Sequence, residues 1–336
     1  MTFENFTSSI IKKIKEQLVI RALENHVAET NAVTKNNDEK KIGVVIRDTT
    51  KETQVSPTIY LEDFYKYFEE NGEEPKWLDV IANKILYIYI EHQSDISDIG
   101  FKPEDYTNFA SAKDSIFPRL INAEANKERL ANIPHKLIGD LAVIYTYILK
   151  HDDGNEIPSI TLQNNIFKKY GITLDELHDL SVKNLHEKMA PSFKPVSYVL
   201  GEMMIPGFAT MTEEEKQEAA NDFNQGVEMY VLTNKEKIFG ASVILDEEFM
   251  KTITEKIPNC IIIPSSVHEL LVLNASPSLS RESLTEMIQD VNANCVQKTD
   301  YLSDHPYIYN SVKKELVSMQ DNDFEINVEN ATEEYA

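Results

Sequence analysis

The chain has 336 residues, with 33 Lys plus Arg against 56 Asp plus Glu and a net charge of −23. Apolar residues make up 42% and charged residues 26%, ordinary globular usage that excludes a wholly disordered or collagen-like chain. The acidity disfavours phosphate backbones and anionic membrane surfaces, and ten glycines, about 3% against a usual 7%, leave little for Gly-rich phosphate loops.

Phe3, Phe6, Ile10, Ile14 and Leu18 recur at helical spacing behind Thr2, a candidate N-cap. His26 to Thr34 and Lys41 to Arg47 read as strands around the turn Lys35-Asn36-Asn37-Asp38, and Thr58 to Leu61 as a short third strand. Helices are expected over Glu62 to Glu70 and Pro75 to His92, the second burying Trp77, Ile81, Ile85 and Ile88. Residues 1–110 thus read as an αβββαα unit.

Residues 111–190 form a middle unit that contains a ββα pattern. Ile116 to Leu120 is expected at a sheet edge, because Pro118 cannot donate to a ladder. Leu141 to Leu149 is a continuous apolar run, as in a central strand buried on both faces. His151-Asp152-Asp153-Gly154-Asn155 has turn chemistry and leads to a partner strand, Pro158 to Leu162. A helix follows from Thr173 to Met189, opened by a capping box of Thr173 and Glu176.

Residues 191–227, with Pro191, Pro195, Pro206, Gly207 and Gly226, read as a linker. The linker holds an acidic helix announced by Thr212 and Glu215. Residues 228–310 read as ββαββα: strands Met229 to Thr233 and Ile238 to Leu245, a helix Glu247 to Ile257, a hairpin of Cys260 to Pro264 with Glu269 to Leu273, and a helix Leu279 to Val291. Residues 311–336 read as a disordered acidic tail; from Asp321 on there are six acids and no base. The expected class is α+β, with mixed, largely antiparallel sheets built from hairpin-helix (ββα) units and packing helices.

No GxG, Gly-Lys, HExxH, GxSxG or zinc-spaced Cys/His pattern is present. No metal and no cofactor are expected. Cys260 and Cys295 form no disulfide framework, and Cys260 opens an apolar run that suits a buried thiol. Leu137 to Leu149, at 13 residues, is too short to span a bilayer. The N-terminal stretch lacks a basic region followed by an apolar one, so a reducing cytoplasm is the expected compartment. His178 shares a helix face with Leu174, Val182 and Leu185, which suits a boundary histidine; His186 lies about 80° further round and makes a poor metal pair with it.

Two constellations hold chemistry. Around Pro134-His135-Lys136-Leu137-Ile138-Gly139-Asp140, a carboxylate opens a buried strand and needs a partner. Arg119, Arg129, Lys136 or nearby amides could serve, and a functional reading makes the patch a ligand site with His135 and Asp140 as catalytic candidates and Lys136 as a binding one. In Pro264-Ser265-Ser266-Val267-His268-Glu269, Ser266 and His268 are candidates for nucleophilic catalysis and Glu269 for binding. Neighbours in sequence rarely meet triad geometry, so a plain hairpin loop is the simpler reading.

The blocks Ser56-Pro57-Thr58-Ile59-Tyr60-Leu61, Pro134 to Val143, Met229-Tyr230-Val231-Leu232-Thr233-Asn234 and Ile263 to Glu269 resemble a domain-of-unknown-function family from anaerobic gram-positive bacteria. They are more distantly similar to a shorter bacterial family with an IYLxxLY-like block, a Pro-x-x-x-x-x-Asp-Leu block and a terminal strand-Pro-Ser block. The resemblance runs from about residue 5 to about residue 310; the tail lies outside it and residues 210–225 depart from it. It implies a bacterial cytoplasmic protein of this architecture and supplies no catalytic or binding residues. The leading expectation is a non-enzymatic interaction or regulatory protein with a protein partner, for which the acidity favours a basic one, that binds neither nucleic acid nor membrane. The alternatives are an enzyme with a site of scattered residues, and an acidic nucleic-acid mimic that blocks a basic partner.

Overall fold

Apolar residues at spacings of three and four make the first helix, Phe3–Ile20, and Thr2 caps it by accepting the Asn5 amide at 3.3 Å. The computed structural model describes residues 1–50, 56–98, 102–149, 159–223, 228–258, 260–275 and 279–320. They divide into two compact units, one built from Met1–Ser111 together with Leu149, and the other from Ala112–Ile148 and the described residues from Ser159 to 320.

In the first unit Phe6, Ile10, Ile14 and Leu18 pack with Ile81, Ala82, Ile85, Leu86 and Tyr89 of the helix Lys76–Asp98. The same core takes in Ala28, Val44 and Ile46 from an antiparallel sheet of β1 (His26–Thr34), β2 (Lys40–Asp48) and β3 (Ile59–Tyr60), in that order. Each fully buried aliphatic side chain of this kind contributes about 1.5–3 kcal/mol. The helix Glu62–Glu70 adds Phe68; the αβββαα order read from the sequence is present, but the short helices Pro103–Thr107 and Phe109–Ala112 that follow were not read.

The second unit holds two sheets. In the four-stranded one, β6 (Leu141–Ile148) is central and buried along its whole length. It pairs on one side with β4 (Ile116–Asn122), and on the other with β5 (His135–Ile138) and β7 (Ser159–Thr161). Pro118 thus sits in an edge strand, where its missing donor costs no ladder bond. The turn expected at His151–Asn155 lies outside the described residues.

The six-stranded sheet contains β8 (Pro191–Pro195), β9 (Met229–Asn234), β10 (Cys260–Ile263), β11 (Leu270–Asn274), β12 (Tyr307–Asn310) and β13 (Glu315–Ser318). Their spatial order is β13-β12-β10-β11-β9-β8. Leu284 and Ile288 of the helix Arg281–Asn294 cover Ile261, Ile263 and Leu273. Every pairing among the described residues is antiparallel, and the fold is α+β. No described helix is long and apolar enough to cross a membrane.

Several segments differ from the sequence reading. The start of the expected linker, Pro191–Pro195, is the edge strand β8, paired with β9 from Pro191↔Asn234 to Pro195↔Tyr230. Its two prolines resemble a linker because an edge strand is the one sheet position that tolerates them. The expected strand Ile238 to Leu245 is a buried 3-10 helix, Gly240–Leu245, entered through Phe239 at φ 50°. A fully buried apolar run has no periodicity to separate helix from strand. Gly240 marks the spot: a Cβ there would lie 2.1 Å from Thr233 Oγ1 and 2.4 Å from the His268 carbonyl oxygen. Finally, the expected tail begins too early, since Glu315–Ser318 pairs with Tyr307–Asn310. The acidic stretch from Asp321 lies outside the described residues.

Candidate functional site

The capping box read from the sequence forms. Thr173 Oγ1 accepts the Glu176 amide at 3.2 Å, and Glu176 Oε2 accepts the Thr173 amide at 2.7 Å. The helix that follows, Leu174–Lys188, repeats side chains on one stripe every four residues. His178, Val182 and His186 form one such row, and Asp179, Lys183 and Glu187 the next. Both rows line a cleft of about 540 Å³ whose other wall is Leu245, Asp246, Glu247 and Glu248.

Asp246 organises that wall. It is buried and is the N-cap of the helix Glu247–Thr254, with Oδ1 accepting the Phe249 amide at 3.0 Å. Its other oxygen, Oδ2, takes the Nδ1–H of His186 at 2.8 Å. That bond orients the ring and leaves Nε2 toward the cleft, 3.5 Å from Glu248 Oε2. The Asp246 bond and charge hold His186 above the usual histidine range.

His178 behaves oppositely. The Tyr145 hydroxyl lies in hydrogen-bond contact with its Nδ1 at 3.2 Å, while burial and then the Lys136 charge lower its pKa. The two histidines of the cleft are thus shifted in opposite directions, His178 toward its neutral form and His186 toward its charged one. Five carboxylates line it, against Lys183 and the two histidines, so it favours a cationic ligand, and His186 Nε2 is placed to exchange a proton. Among the described residues no group of three or more His, Cys, Asp or Glu is placed to hold a metal ion.

The residues singled out from the sequence lie elsewhere. Gly139 at φ 59° and Asp140 make the tight turn between β5 and β6, with Ile138 opposite Leu141. Asp140 does not pair with Arg119, Arg129 or Lys136. Its Oδ2 accepts His305 Nε2–H at 2.9 Å, and the Tyr307 hydroxyl donates to the same carboxylate at 2.9 and 3.0 Å. Lys136 instead meets Asp175 at 3.0 Å, and His135 turns its Nδ1 to the Ile133 carbonyl oxygen at 3.0 Å.

Ser318 Oγ lies 3.3 Å from His305 Nδ1, which gives a Ser–His–Asp succession. The ring cannot serve as a base for that hydroxyl. His305 is buried, its Nδ1 faces the Pro306 carbonyl oxygen at 3.1 Å, and its pKa is raised. Burial opposes the charge, but the Asp140 bond and the Pro306 carbonyl outweigh it. The imidazolium donates on both sides, and the assembly clamps the β5–β6 turn to β12.

In the second constellation Ser266 Oγ accepts the His268 amide at 3.0 Å, and Ser265 Oγ lies 3.4 Å from Glu269 Oε1. His268 Nδ1 accepts the Phe239 amide at 3.3 Å, and its Nε2 faces Asp300 Oδ1 at 3.7 Å. Both ring nitrogens are thus turned to groups other than Ser266. Asp140 and His268 meet one shared segment, through His305 and Asp300 respectively.

The sequence reading missed Asp246, His305 and Asp300. An Asp just before the helix at Glu247 is an N-cap signal, but nothing local links it to His186 sixty residues away.

A family model described as a family of unknown function (DUF5688) matches residues 3–311. Comparison with curated proteins and with solved structures finds no match. The chain belongs to the DUF5688 family.

Proposed function

We propose that this member of the DUF5688 family is a non-enzymatic binding protein whose acidic cleft, between the helix Leu174–Lys188 and residues 245–248, takes a basic segment of a protein partner. The observation that carries the reading is the convergence of Asp179, Glu187, Asp246, Glu247 and Glu248 on one cleft of about 540 Å³. The net charge of −23 adds long-range attraction for a basic partner and repulsion of nucleic acid. A reducing bacterial cytoplasm fits the cysteines: burial pushes the Cys260 thiol up to about 12, and Cys295 is an exposed free thiol.

The test is fluorescence anisotropy of a labelled Lys/Arg-rich peptide with the full chain at low and high salt. Saturable binding that weakens with salt, and weakens several-fold in Asp179→Asn with Glu248→Gln, is the expected result. Equal binding by wild type and variant refutes the cleft as the contact. The pH dependence has a definite sign: His186 carries its extra proton below its raised pKa, so affinity for the peptide rises as pH climbs through that value.

One observation favours a second reading, an enzyme with acid–base chemistry at His186. A buried aspartate orients the ring and leaves its second nitrogen facing an open cleft. Turnover of any ester or phosphoester in a broad panel, lost in His186→Gln with the fold intact, would support it. Turnover unchanged by His186→Gln would exclude His186.

A further inference from the structure

The three-stranded sheet of the first unit ends on a long, unguarded strand. β1 stands at one end of the order β1-β2-β3 and matches β2 residue for residue from His26↔Asp48 to Thr34↔Lys40, with no bulge. The bonds just beyond both ends fix the phase of the ladder. The Thr49 amide donates to the Asn25 carbonyl oxygen at 2.8 Å, and the Lys35 amide to that of Glu39 at 2.8 Å. In an antiparallel pair every second residue exchanges such bonds. The odd-numbered residues of β1 therefore bond to β2, and the N–H and C=O groups of Ala28, Thr30, Ala32 and Thr34 point the other way. Among the described residues no strand pairs with β1 on that side, and Thr30, Ala32 and Thr34 are exposed.

Folded proteins blunt such edges with proline, charge or shortness. The edge strands β4 and β8 carry Pro118, Pro191 and Pro195, β3 has two residues, and β13 has four and opens on Glu315. β1 runs for nine residues with no proline, no Lys and no Arg. Its acidic residue, Glu29, is paired with Arg47 of β2. The whole hairpin His26–Asp48 is neutral in a chain of −23, because Lys35, Lys40, Lys41 and Arg47 balance Glu29, Asp38, Glu39 and Asp48. A second copy of this acidic chain therefore meets no net repulsion at this edge itself.

We propose that β1 pairs with β1 of a second copy, antiparallel about a two-fold axis at Thr30, so that two sheets join into one. Thr30 is the midpoint of His26–Thr34 and belongs to the outward-bonding set, so this axis pairs the strand over its full length with its free donors facing free acceptors. Ala28 then meets the partner's Ala32, Val27 meets the partner's Val33, and Glu29 meets the partner's Asn31. Asn31 gives one amide hydrogen to Thr58 Oγ1 at 3.0 Å and keeps a second for the facing carboxylate. No like charges stand opposite each other. An axis at Ala28 or Ala32 leaves one end of the strand unpaired. The interface is independent of the acidic cleft and of what binds there.

The experiment is sedimentation velocity of the full chain at protein concentrations from about 1 μM to about 1 mM, in about 0.15 M salt to screen the net charge. A monomer–dimer equilibrium is expected. Thr30→Pro removes the central outward N–H and leaves the bonds to β2 in place, and Thr30→Lys sets like charges opposite each other across the axis. Each should raise the dimer dissociation constant at least tenfold. Thr30→Lys changes an exposed side chain, which keeps the test informative if Thr30→Pro fails to fold. Leu137→Lys adds the same charge to β5, at a position 63% exposed, and should leave the constant unchanged. A monomer at every concentration, a dimer unchanged in folded Thr30→Lys, or a dimer weakened equally by Leu137→Lys overturns the proposal.

Discussion

Replacing Asp140 by Asn tests the clamp between the two sheets of the second unit. The carboxylate accepts one bond from His305 Nε2 at 2.9 Å and shares the Tyr307 hydroxyl at 2.9 and 3.0 Å. A hydrogen bond to a charged group is worth about 1.5–3 kcal/mol net. The Asp140 side chain keeps 39% of its surface exposed, so solvent screening lowers that range, and the asparagine oxygen still accepts one bond. The expected loss is about 2 kcal/mol, which for a unit of this size lowers Tm by about 4–8 °C.

The pH dependence follows from both partners. Burial favours the neutral form of each, and the bond between them overcomes it. Asp140 thus ends below the usual carboxylate range and His305 above the usual histidine range. The Asp140 contribution is present above its unfolded pKa and lost as pH falls through its folded one. The His305 contribution is complete below its unfolded pKa and lost as pH rises through its folded one. The gap between wild type and Asp140→Asn should therefore be widest between about pH 4 and 6.5, and should narrow on either side. Urea denaturation at a series of pH values measures the gap, and an NMR titration of His305 follows the ring. A gap under about 0.5 kcal/mol that stays flat from pH 5 to 9, with an unmoved His305 titration, refutes the clamp.

Gly240→Ala should destabilise by about 1–3 kcal/mol, as overpacking does, because its Cβ would meet Thr233 Oγ1 at 2.1 Å and the His268 carbonyl oxygen at 2.4 Å; a lower urea midpoint at constant slope is the readout. Ile14→Ala removes a fully buried side chain of the first unit and should cost about 2–5 kcal/mol by the same assay. A thiol reagent should label Cys295 in the native protein and Cys260 only on unfolding, since Cys295 is exposed and Cys260 is buried at the start of β10; equal rates for the two would contradict that placement.

Most of the elements were legible because their signals are local. The face Phe6, Ile10, Ile14, Leu18 needs only helical spacing, and the box Thr173 with Glu176 needs four residues. The unbroken run Leu141–Ile148 was readable as a central strand, since burial on both faces leaves no polar alternation. Illegibility began where a residue's meaning depends on distant chain. Gly240–Leu245 is helical because Phe239 turns the chain and Gly240 lies against Thr233 and His268. Asp140 visibly needed a partner, but the nearby bases were the wrong ones, and the chosen ring is 165 residues away. His186 and Asp246 meet only because a helix stripe and a helix N-terminus face each other across the cleft.

The distance between Asp140 and His305 also has a consequence in time. A ribosome adding about 5–20 residues per second delivers the imidazole on the order of ten to thirty seconds after the carboxylate it will meet. During that interval β4, β5 and β6, all contained within residues 116–148, can already be paired. The nascent hairpin then carries a hydrated aspartate at its tip, and the charge loses water only when residues 300–307 arrive to replace it. A chain stalled before Tyr307 would display a finished sheet with an open, anionic corner, a surface on which a chaperone could tell an incomplete molecule from a complete one.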